Sequence, residues 1–151
     1  MRLICSNKKA THDYQLLERH ETGIELVGTE VKSLRQRAAS LVDAYGAVED
    51  GELFLVGAHI AVYEQGNRFN HEPRRRRRLL MHKREIMRLQ GKVLEKGLTL
   101  VPTRMYFNDA GRVKVELALA RGKRSYDKRE AIARRDSDRE VERAIRERYR
   151  R

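Results

Sequence analysis

Five consecutive arginines, residues 74–78, are the strongest local chemical signal in the sequence. Such a run can line a groove for phosphates, form a solvated flexible loop, or act as a localisation signal, and by itself it leaves all three open. Asn7, Lys8, Lys9 and His12 form a short polar arm near the start, with side chains suited to phosphates and base edges. Glu21, in a turn-like Glu-Thr-Gly stretch, could accept from base amino groups or serve the fold alone. Glu30 has the same ambiguity, since an acid near a helix start also interacts favourably with the helix dipole. Bond-making chemistry is poorly provided for. The five histidines show no HExxH spacing, and Cys5, the only cysteine, can complete neither a multi-cysteine zinc site nor an internal disulfide. Gly91-Lys92 lacks the preceding glycine of a phosphate loop. We therefore expect no catalytic residues, no metal, no cofactor and no enzymatic activity. The chemistry on offer is recognition of a polyanion.

Composition agrees. The 151 residues hold 34 Lys+Arg against 22 Asp+Glu, a formal net charge of +12. The excess is segregated: residues 1–72 sum to −3, residues 73–120 to +9 and residues 121–151 to +6. A basic surface on an otherwise mixed body points to nucleic acid. No apolar run approaches the roughly 18 residues of a membrane span, and the apolar stretch near the N-terminus is too short for a secretory signal, so a cytoplasmic protein is expected.

These residues need elements to hold them. Leu, Ile, Val and Phe number 33 in residues 1–120 but only 3 in residues 121–151. The first part can pack a core and the second cannot, which places a boundary near Ala120. Within the body, 14–19 and 24–26 read as strands on either side of a Glu21-Thr22-Gly23 turn, and Thr29 as the cap of a short helix. Residues 40–48, 52–56 and 59–63 read as a β-meander with Asp50-Gly51 as a hairpin turn. Residues 65–78 read as a loop. An amphipathic helix follows from Leu79 to a C′ residue at Gly97, and then two strands joined through residues 108–111. Short antiparallel strands with one inserted helix fit a mostly β fold with accessory helices, an oligonucleotide-binding (OB-type) closed β-barrel. In the tail, Ser137-Asp138-Arg139-Glu140 has capping-box spacing, and Val141, Ala144, Ile145 and Tyr149 form one stripe. A segment of this length is marginal as a free helix, so the tail is expected to be disordered when free and helical on binding.

The motifs NKKATHDYQLLE (7–18), GTEVKSLR (28–35), SLVDAY (40–45), GNRFNHEPRRRRRLL (66–80), EKGLTLVP (95–102) and GKRSYDKR (122–129) together resemble the SsrA-binding protein family, small protein B of bacterial trans-translation. The resemblance covers essentially the whole chain in order. It implies an OB-type barrel over 1–120 that binds the tRNA-like domain of transfer-messenger RNA (tmRNA). It also implies a tail over 121–151 that becomes helical in the empty mRNA channel of a stalled ribosome, against small-subunit rRNA. Elongation factor Tu is the further partner implied in the delivery complex, and monomer is the default state. Carried onto this chain, the tmRNA surface comprises Asn7, Lys8, Lys9, His12, Glu21, Lys32, Arg35, Leu80 and Lys114. The decoding-centre element comprises Gly122, Lys123, Arg124, Tyr126, Asp127, Lys128 and Arg129. Arg124 stands where relatives often have lysine, and Tyr126 where some have histidine. The first keeps a cation with different geometry; the second keeps stacking but not protonation. Two other readings compete: a general RNA-binding barrel, which would hold ordinary tRNA equally well, and a nuclease dependent on His12 or His71.

Overall fold

In the computed structural model, which describes residues 1–65 and 70–123, the chain runs β1 (Arg2–Ser6), α1 (Lys8–Asp13), β2 (Tyr14–Ile24), α2 (Gly28–Arg35), β3 (Ala39–Ser40), β4 (Tyr45–Glu49), β5 (Glu52–Val56), β6 (His59–Ile60), β7 (Arg77–Leu80), α3 (Lys83–Lys96), β8 (Thr99–Phe107) and β9 (Val113–Gly122). Local chemistry explains the joints. Asp50 and Gly51 both take left-handed backbone, φ 51° and 77°, which matches the strand twist in a two-residue hairpin and sets Glu49 opposite Glu52. Gly97 ends α3 at φ 63°, in the left-handed C′ geometry that glycine adopts without steric cost.

The strands pair in the order β1-β8-β4-β5-β7-β2-β9, and β9 returns to β8. Six strands thus close into a ring, with β1 added beside the second half of β8, where Arg2 faces Phe107 and Ser6 faces Arg104. Closure leaves the ring without a free edge. Alternation fills the inside: Leu53, Leu55, Leu79, Leu100, Met105, Val115, Leu117 and Leu119 are buried together, joined by Leu34 of α2 and Ile86 and Leu89 of α3. Each such leucine contributes roughly 2 kcal/mol of burial. The architecture is the expected mostly β, OB-type class. A second, smaller cluster lies outside the ring, where Ala10 of α1 covers Val101, Ala118 and Ala120.

Several expected local elements differ. The polar arm is instead the helix α1, preceded by the strand β1, and Asn7 is the cap of α1 and buried, at 4% exposure. Its Oδ1 accepts from the Ala10 amide at 3.2 Å, and its Nδ2 donates to the carbonyls of Leu41 and Pro102 at 3.2 and 2.9 Å. One side chain thereby ties α1 to two distant segments. Asn7→Ala is expected to cost about 2 kcal/mol or more by losing the cap and stranding two carbonyls. A lowered urea midpoint at unchanged m-value would show it.

Residues 21–23 are not a turn: β2 runs unbroken for 11 residues. Turn-like composition yields there because the strand is paired on both edges and Thr22 donates to the buried Val115 carbonyl at 2.9 Å. Thr29 does not cap α2, whose N-cap is Val27; its hydroxyl pairs with His71 Nδ1 at 2.9 Å. The 40–48 strand is broken by Asp43 at φ 67°, and β6 is only two residues long. α3 begins at Lys83 because Leu79 and Leu80 belong to β7. β9 extends two residues past Ala120, with Gly122 opposite Tyr14.

Candidate nucleic-acid interface

Residues directly opposed in antiparallel strands present their side chains to the same face. Leu80 of β7 faces Gly23 of β2, Gly23 faces Lys114 of β9, Lys114 faces Tyr106 of β8, and Tyr106 faces Leu3 of β1. This row lies on the outside of the ring, since Val115 and Leu117 point inward. Leu80 is 44% exposed and leans across Gly23, where a Cβ would sit 3.2 Å from Leu80 Cβ. A side chain at position 23 would require Leu80 to give way by a few tenths of an ångström. The adjacent row of the same face sets Glu21 opposite Glu116 and Glu116 opposite Arg104. Thus Glu21, Leu80 and Lys114, far apart in the chain, are neighbours on one surface.

Polar contacts order this surface. Glu116 accepts from Thr103 Oγ1 at 2.7 Å and Arg104 Nε at 2.9 Å, with Arg19 at 3.9 Å. Glu21 accepts from the Tyr106 hydroxyl. Burial, followed by that hydrogen bond to Glu21, pushes the Tyr106 phenol up to about 12. The hydroxyl therefore remains a donor at any physiological pH.

The other expected site residues divide. Lys8, Lys9 and His12 are exposed on α1, which packs by Ala10 on the same outer face of β8 and β9. Lys9 donates to Asp43 at 2.9 Å across a cleft of about 410 Å³ lined also by Tyr14 and Tyr45, and this hydrogen bond raises its pKa. His12 Nδ1 lies 2.9 Å from Asp13. Asn7 points into the protein and positions this helix. Lys32 and Arg35 are not brought to the row. Lys32 sits over the Tyr63 ring at 5.6 Å, and the Arg35 carbonyl accepts from Arg2, whose guanidinium covers Phe107 on the opposite side of β8 from Tyr106. Gly122 belongs to β9 and Lys123 is exposed, whereas Arg124, Tyr126, Asp127, Lys128 and Arg129 lie outside the described residues.

The arginine run is not an unpaired one: each of its side chains has a partner within the protein, and Arg77 is buried. Arg74 donates to the Gly57 carbonyl, and Arg75 pairs with Glu30 at 2.7 Å. Arg76 pairs with Glu49 at 2.6 Å while lying over the Phe54 ring, and Arg78 lies 3.3 Å from Glu25. Arg77 and Glu30 form a fully buried pair at 2.5 Å, both with 0% exposed side chains. Burial raises the Glu30 pKa, but hydrogen bonds from Arg75, the Val27 amide and Arg77 outweigh it and leave a net lowering. Sequence reading missed this pair. The signal was the alternation Arg77-Arg78-Leu79-Leu80, which has strand period and places Arg77 on the face of Leu79.

Among the described residues no cluster of His, Cys, Asp and Glu could hold a metal ion, and no helix is long and apolar enough to cross a membrane. A closed ring of antiparallel strands with polar contacts ordering its outer face, in a strongly basic chain, is a mostly β class of protein whose charge suits a polyanion. The model of the SmpB protein family matches residues 4–147. An SsrA-binding protein from Moorella thermoacetica is 62% identical over 148 residues, covering 98% of this chain and 96% of its own. One from Desulforamulus reducens is 61% identical over 145 residues, covering 96% and 90%. A solved chain described under "tmRNA-SmpB: a journey to the center of the bacterial ribosome" has TM-score 0.67 and 54% identity, covering 79% of this chain and 83% of that one. The chain belongs to the SmpB family.

Proposed function

We propose that this protein binds the tRNA-like domain of tmRNA and brings it to stalled ribosomes for trans-translation, with no covalent chemistry of its own. The observation that carries the reading is the cross-strand row joining Leu80, Gly23 and Lys114, with Glu21 beside it, on a chain of the SmpB family. Structured RNA is read by shape, phosphates, 2′-hydroxyls and stacking on unpaired bases. The row supplies an apolar contact in Leu80, a cation in Lys114 and an acceptor in Glu21, while Lys8, Lys9 and His12 extend the surface along α1. Lys32 and Arg35, on another side, lie outside this footprint and fit a second contact. The tail over 121–151, with Gly122 as its anchor, enters the mRNA channel when that channel is empty, and elongation factor Tu joins during delivery.

Competition binding at stated salt tests the reading. The tRNA-like domain of tmRNA is expected to displace ordinary tRNA, and the RNA to be recovered intact. Lys114→Ala should weaken binding and reduce the slope of log affinity against log salt by about one phosphate contact. Equal affinity for ordinary tRNA would favour a general RNA binder, and cleaved RNA a nuclease.

A further inference from the structure

We propose that Tyr106 is a positioning residue for Glu21: it anchors one carboxylate oxygen so that the other is presented outward as a hydrogen-bond acceptor for the bound RNA. The proposal rests on the RNA-binding face described above and deepens it.

Glu21 sits directly opposite Glu116, an arrangement of like charges that destabilises a strand pair. Glu116 has its own donors in Thr103 and Arg104. Among the described residues, Glu21 receives a side-chain hydrogen bond from Tyr106 alone. Without it, the Glu21 carboxylate would swing away from Glu116 and lose a defined direction. Tyr106 stands two strands away from Glu21, on β8 with β9 between. At about 4.8 Å per strand spacing, only a long, rigid side chain laid across β9 reaches that far. Its ring is held there: Tyr106 is 6% exposed, and the Arg104 guanidinium lies 5.3 Å from the ring centroid. A ring so covered is no stacking platform for a base, which leaves the hydroxyl as its functional end. The exposed carboxylate can take a hydrogen bond from a base amino or imino N–H, or from a ribose 2′-hydroxyl.

The test is a double-mutant cycle in the full-length protein, measuring affinity for the tRNA-like domain of tmRNA. Tyr106→Phe keeps the ring and removes the hydroxyl. It is expected to weaken binding roughly tenfold, as does loss of a hydrogen bond to a charged group, with the salt slope unchanged because no phosphate contact is lost. In a Glu21→Ala background the same substitution should weaken binding less than about twofold, whereas in a Lys114→Ala background the tenfold loss should persist. A similar loss in all three backgrounds would mean that Tyr106 acts only through the fold and would overturn the proposal, as would a Glu21→Ala variant with wild-type affinity. Failure of the wild-type protein to prefer this RNA would instead overturn the binding reading itself.

Discussion

Arg77→Ala is expected to destabilise the protein by about 3–5 kcal/mol, the range for breaking a buried ion pair by removing one partner. Against a typical total of about 5–15 kcal/mol, that is a large fraction of the stability of the fold. Arg77 uses all of its donors: Nε to Glu30, Nη1 to the carbonyls of Ala58 and Arg75, and Nη2 to those of Glu72 and Pro73. Alanine would strand these acceptors and leave Glu30 buried with Arg75 as its remaining cation. Lysine would not rescue, since a point charge with three donors cannot reproduce the planar fork.

The pH dependence has a definite sign. In the wild-type protein the Glu30 pKa is held below its unfolded value, so its contribution to stability is present above the ordinary glutamate range and is lost as pH falls through the folded value. In Arg77→Ala burial acts with less opposition, the pKa rises, and protonating Glu30 in acid relieves the buried charge. The difference between variant and wild type should therefore be largest near neutral pH and shrink in mild acid. Urea titrations at both pH values measure it. Arg76→Ala and Arg78→Ala, at half-exposed pairs, should each cost no more than about 1 kcal/mol. If Arg77→Ala behaved like these two, the buried pair would not be the anchor that its geometry describes.

Ending the chain after Lys123 should abolish tagging on stalled ribosomes and leave tmRNA affinity within roughly a factor of three at physiological salt. The removed residues 124–151 carry 11 Lys+Arg and 7 Asp+Glu, so their long-range attraction is screened within about 8 Å at that ionic strength. A measurement at low salt would mistake lost steering for lost contacts. The position of the cut matters. β9 pairs Arg121 with Gln15 and Gly122 with Tyr14, and Tyr14 packs against the Ala10 cluster beneath α1. Ending the chain after Ala120 would remove these pairs, loosen α1 with Lys8, Lys9 and His12, and weaken RNA binding through the body. The two truncations, compared in binding and tagging assays, separate tail from body. A large loss of tmRNA affinity after the Lys123 cut would refute the division of labour.

Local chemistry alone determined several features. The Asp50-Gly51 hairpin, the Gly97 helix end, the 108–111 loop and the class of fold were all readable, because each depends on residues adjacent in the chain or on a short period of apolar side chains. The net charge and the shortage of catalytic groups likewise needed no structure to point to a polyanion.

Tertiary structure decided what those charges do. The carboxylates that accept hydrogen bonds from residues 75–78 lie 27 to 53 positions away, and nothing near the run reveals them. Acids from the net-negative first half fold against arginines of the positive second half, so much of the loudest cationic signal is paired within the protein. Asn7, which reads as an RNA-facing arm, turns inward because Leu41 and Pro102 offer it carbonyls. Glu21, Leu80 and Lys114 become one surface only through strand register. A shift of one residue would turn every one of those side chains to the other face, and the ring closure that sets the register is a property of the whole sheet rather than of any segment.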